Sequence, residues 1–191
     1  MPFMVFTLIS VGTFVNTSTV FMLRDPLYFN INKDEIGRVS NDLIFYAVPP
    51  ALIVTCFIGY VFDIVGRRIT LSISIGLQSI MVLLMPYTSP EVYPWLLILR
   101  MGLSVFWVPL FAHPLVSDYI KKESRGKQIA LNGIGFICGD VFAFGILLNI
   151  TRNMPPIESF SVTSVYILVT AITAFFMIKE PELNKIHQKA A

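Results

Sequence analysis

Six apolar stretches of about twenty residues, near 2–23, 43–62, 69–86, 95–116, 129–150 and 160–178, occupy most of this 191-residue chain. Twenty residues of α-helix rise about 30 Å, the thickness of a bilayer's hydrocarbon core. In that solvent each backbone N–H and C=O must be satisfied inside the segment, so runs of this length are read as helices. The expectation is an all-α integral membrane protein with six transmembrane helices in one domain over 1–191, ending in a tail at 179–191. Ser and Thr are frequent in the third and sixth runs, and their hydroxyls are expected to bond to the helix's own backbone. A content of 55% hydrophobic and 14% charged residues and a mean hydropathy of +0.72 lie outside the soluble range. The net charge of +2 is too small and scattered for a nucleic-acid surface, so the bilayer is the expected partner and nucleic acid is not.

The first run has no charged residue before Arg24 and is longer than a signal core of about 7–15 residues, which marks it as a retained helix. Lysine and arginine set the orientation. With both termini cytoplasmic, that side collects Arg67, Arg68, Lys121, Lys122, Arg125, Lys127, Lys179, Lys185 and Lys189, against Arg24, Lys33, Arg38 and Arg152 opposite. Cys56 and Cys138 lie in apolar runs without metal-ligand spacing and are expected to be buried, inert thiols. The sequons at Asn16 and Asn149 fall within or beside spans and are chance matches.

Between the second and third spans runs Gly-Tyr-Val-Phe-Asp-Ile-Val-Gly-Arg-Arg-Ile-Thr-Leu, with Gly59, Asp63, Gly66, Arg67, Arg68 and Leu71 at fixed positions. Gly59 and Gly66 permit a sharp turn and a close helix approach. Asp63 at the helix exit requires an arginine or a helix N-terminus as partner. Arg67 and Arg68 either supply it or simply anchor the loop at the lipid surface.

This run resembles the signature of the major facilitator superfamily, Gly-x-x-x-Asp-x-x-Gly-Arg-Arg/Lys-x-x-Leu, at all six positions. It departs at Phe62, where a small residue is preferred, and at Ile64, where a basic one is. Arg100 fits the family's fourth-span arginine, and Asp118, Arg125 and Gly126 resemble the next cytoplasmic motif. The resemblance implies a six-helix bundle forming half of a twelve-helix transporter, with Asp63 gating the cytoplasmic side against the other half. A second six-helix unit is then implied as partner, as another chain, a homodimer or part of a longer chain, with a small-molecule substrate and no cofactor.

Arg100 and Asp140 carry charge inside spans, where each costs about 2.5–3.5 kcal/mol on insertion scales. Counting turns from the Trp95 and Ile150 ends puts them near one depth, so an Arg100–Asp140 ion pair is expected, structural or functional. Asn16, Arg100, Trp107 and Asp140 are candidates for the substrate path. Gly135, Gly139 and Ala143 recur every four residues as a helix-packing stripe. His113-Pro114 is read as a kink with an incidental histidine. Neither a catalytic Ser/His/Asp set, a phosphate loop nor a metal spacing occurs, so no catalytic or metal residue is assigned. The expected function is solute transport. The alternative is a non-transporting structural subunit derived from a transporter half.

Overall fold

The computed structural model describes residues 2–111 and 124–178. It is all-helical among these residues: α1 (Pro2–Arg24), α2 (Lys33–Val65), α3 (Arg67–Leu84), α4 (Leu97–Phe111), α5 (Arg125–Phe142) and α6 (Pro156–Met177). Among the described residues, six helices are long and apolar enough to cross a membrane. A 3₁₀ turn at Met85–Thr88 extends α3, and π turns at Val92–Leu96 and Ala143–Leu147 precede α4 and follow α5, the latter running on through Leu148–Thr151. The positions Asp118 and His113-Pro114 and the tail from 179 lie outside the described residues.

Helix boundaries differ most at α2. Its start at Lys33 lies well before the apolar run, because Asp34 and Glu35 occupy the first turn, where carboxylates complement the helix dipole. At 33 residues α2 rises about 50 Å, so its first turns extend past the hydrocarbon thickness. An exposed Arg38–Glu35 contact of 3.7 Å there is the sole ion pair among the described residues. The connection from α1 shrinks to a compact turn, in which the Leu27 N–H donates to Asp25 Oδ1 at 2.9 Å and Asn30 takes φ 51°. Asn tolerates that left-handed conformation better than most residues.

Three helix pairs make the main contacts: α3 with α6, α1 with α5, and α2 with α4, with α3 also resting on α4. The core gathers Phe14, Met22, Leu23, Leu43, Met85, Leu96, Phe160 and Ile167, with the Phe14 and Phe160 rings edge-on at 5.6 Å. Since lipid is as apolar as these side chains, close packing and interhelical hydrogen bonds hold the bundle. Ser79 and Ser164 form a reciprocal clasp between α3 and α6, each hydroxyl donating to the other's carbonyl at 2.9 Å. Gln78 Nε2 donates to Phe106 O on α4 at 2.7 Å. Other hydroxyls, at Thr163, Thr170 and Thr173, bond to carbonyls four residues back, as expected from sequence.

Burial is uneven. Half of the most apolar window of α1 and of α3 is buried, but only 11% of that of α2 and 22% of that of α5. The thiols of Cys56 on α2 and Cys138 on α5 are accordingly exposed on the bundle's outside, which corrects the expectation of burial. Apolar surroundings in the sequence do not distinguish a core from a face that another surface must cover.

Candidate functional site

At one end of the bundle the Gly59–Leu71 run folds as two helices meeting at a single residue. Gly66 takes φ 87° and ψ 154°, a region essentially restricted to glycine. Its N–H donates to Phe62 O at 3.2 Å, and its carbonyl accepts from the Thr70 N–H and Thr70 Oγ1 at 3.2 and 2.7 Å. The hinge thus closes α2 and opens α3 without an intervening loop. Leu71 is fully buried against Ile58 and Phe62, so the phenylalanine that departs from the family pattern serves as core. Gly66→Ala should cost on the order of 1–3 kcal/mol of strain. A wild-type unfolding midpoint in detergent would contradict this.

The charged residues of the run divide. Arg68 stacks on Phe175 of α6, its Cζ 3.9 Å from the ring centroid, which ties the start of α3 to the end of α6. Arg67 is half-buried at the first position of α3. Asp63 is exposed and makes no ion pair among the described residues, so the arginine partner expected for it is not in place. Gly59 faces open space, and a Cβ there would meet nothing within 4 Å. With Thr55 it completes an exposed stripe at four-residue spacing, Thr55–Gly59–Asp63, along α2. Arg125 and Gly126 form the first turn of α5, half-buried and exposed respectively.

The intramembrane charges meet on α1. Arg100 is 8% exposed, and its Nη2 donates to Asn16 Oδ1 at 2.7 Å. Asp140 Oδ1 accepts from Thr13 Oγ1 at 2.5 Å. The direct Arg100–Asp140 pair expected from sequence does not form. Chain neighbours joined by a short loop need not be neighbours in space: α5 packs on α1, while α4 packs on α2 and α3. Each charge therefore finds a neutral partner on α1, three residues apart on that helix.

Trp107 also reaches α1, where its ring fills the space beside Gly12, leaving no room for a Cβ there. Gly135, Gly139 and Ala143 are all buried. At Gly139 the backbones nearly touch: an added Cβ would lie 2.6 Å from Phe6 O and 3.3 Å from Ser10 N. Gly12 and Thr13 were not singled out by sequence reasoning. Their signal was available in α1, where Thr7, Ser10, Gly12, Thr13 and the run Asn16–Thr19 interrupt the apolar residues.

These features define a multi-pass integral membrane protein whose polar groups are organised along one helix of the bundle and at one of its ends. The family model of the Major Facilitator Superfamily matches residues 3–191, and the chain belongs to that superfamily. Among solved structures, the inward-open xylose transporter XylE from E. coli is similar in fold, with a TM-score of 0.65 and 17% sequence identity. The match covers 94% of this chain and 47% of that one, so this chain spans about half the length of that transporter. No curated protein matches by sequence.

Proposed function

We propose that this chain is one six-helix half of a secondary transporter, which moves a small solute by alternating access against a second six-helix unit. The observation that carries this reading is the polar stripe Thr13–Asn16 on α1, which holds Asp140 of α5 and Arg100 of α4, beside helices α2, α4 and α5 that are each less than a quarter buried. Lipid suits the exposed apolar side chains of α2 and α5 but is a poor cover for the polar part of that surface, Thr13, Asn16 and Asp140. The α2 face narrows to Gly59 and ends in the exposed carboxylate of Asp63, a small-residue stripe suited to a closely crossing helix rather than to acyl chains. On this reading Asp63 closes the cytoplasmic side by contacting the opposite half, and Arg67, Arg68 and the Arg125-Gly126 turn lie on that side. The excess of lysine and arginine supports placing both termini there. Loss of the transport-side charges would favour the structural-subunit alternative, and Asp63, Arg100 and Asp140 are all present.

The test is the native particle in mild detergent, followed by reconstitution in liposomes. A particle of at least twelve helices is expected, with solute flux that Asp63→Asn lowers tenfold or more. A single 21.5 kDa chain that carries flux unaided would overturn the two-half arrangement. Absence of flux from the native particle would overturn transport.

A further inference from the structure

The two intramembrane charges do not pair with each other. Arg100 has five N–H donors, yet among the described residues its one hydrogen bond goes to the neutral Asn16. Asp140 likewise rests on the neutral Thr13. Neither charge is compensated by an ion partner among the described residues. Unpaired charges at membrane depth are costly and mark functional groups.

Geometry puts both at one place. Thr13 and Asn16 are three residues apart on α1, about 4.5 Å along its axis at 1.5 Å per residue. They lie on the open side of the helix: Asn16 is exposed, and Thr13, Thr17 and Asp140 are half-buried, whereas Val11, Phe14 and Val15 turn into the core. At the open side of α1, the guanidinium of Arg100, itself 8% exposed, and the half-buried carboxylate of Asp140 are therefore anchored on residues about 4.5 Å apart along the axis.

We infer that this pair binds a zwitterionic solute carrying a carboxylate and an ammonium group, of the amino-acid or short-peptide class. The solute carboxylate meets Arg100, whose fork matches it bidentately, and its ammonium meets Asp140. A plain anion of the same size would satisfy Arg100 but confront Asp140, and a plain amine would meet the reverse conflict. The inference rests on the transporter reading for the face being a solute path, but it fixes the solute's charge pattern independently of flux.

The experiment measures ligand-induced thermal stabilisation of the native detergent-solubilised assembly with the twenty amino acids and dialanine. The best binder is then compared with its counterparts lacking the amine or the carboxylate; for L-leucine these are 4-methylpentanoate and 3-methylbutylamine. At least one zwitterion should bind, with both counterparts at least tenfold weaker. Arg100→Gln and Asp140→Asn should each weaken the zwitterion tenfold or more, and Asp140→Asn should bring the anionic counterpart closer to it. No binding across the panel, a counterpart that binds as tightly, or an Asp140→Asn variant of wild-type affinity would overturn the inference. Should a variant fail to fold, the wild-type comparison of zwitterion with counterparts still decides. Flux of a neutral sugar or a monocarboxylate without zwitterion binding overturns this inference and spares transport; zwitterion binding without any flux does the opposite.

Discussion

Gly139→Val is expected to dismantle the α1–α5 crossing and cost about 3 kcal/mol or more of stability. The added Cβ would sit 2.6 Å from the Phe6 carbonyl oxygen and 3.1 Å from Ile9 Cβ. The nearest obstacle is backbone, which cannot swing aside as a side-chain tip can. Overpacking in a core that relaxes costs about 1–3 kcal/mol, and here relief requires separating two helices. Separation has further consequences, because the Thr13–Asp140 hydrogen bond and the contact between the Phe6 and Phe142 rings span the same seam. Without a hydrophobic drive between helices in lipid, little else would restore the crossing. Gly133→Val is the matched control: it lies on the same helix in open space, and a surface change there should stay within about 0.5 kcal/mol. Unfolding midpoints in detergent compare the two. Equal midpoints would show that the small-residue seam does not hold α1 to α5.

That seam was legible in the sequence as a spacing, because three small residues at four-residue intervals share one helix face whatever surrounds them. The six spans were legible for a similar reason, since hydropathy reports the solvent a helix must sit in. Helix ends were less so: the start of α2 depends on Lys33, Asp34 and Glu35 in a polar stretch that hydropathy reads as loop. The signature run was readable to the residue, yet its fold was tighter than a loop, because Gly66 alone makes the turn. What sequence did not supply was adjacency. Arg100 and Asp140 lie at compatible depths, but their partners depend on which helix each one packs beside, and both partners belong to α1. The Ser79–Ser164 clasp joins residues 85 positions apart and was hidden for the same reason.

The second large effect is expected at Asn16, and it differs from a simple lost contact. Asn16→Leu removes the hydrogen-bond acceptor of Arg100 and leaves a guanidinium that is 8% exposed without a protein partner. Hydrogen bonds to charged groups contribute about 1.5–3 kcal/mol, and stranding a buried charge costs more than removing both partners. A loss of about 2 kcal/mol is therefore expected for Asn16→Leu. Arg100→Met should cost less, since Asn16 is exposed and keeps access to water. The double variant should recover most of the Asn16→Leu loss, because leucine and methionine then pack together without an orphaned charge. Neighbouring residues that interact show such non-additivity, whereas independent ones add within about 0.3–0.5 kcal/mol. Additive losses in the cycle would mean that water, not Asn16, carries the guanidinium. A coupling of the expected size would instead show that α1 holds Arg100 in place before any solute arrives, so that a carboxylate entering the path meets an oriented cation rather than a mobile one.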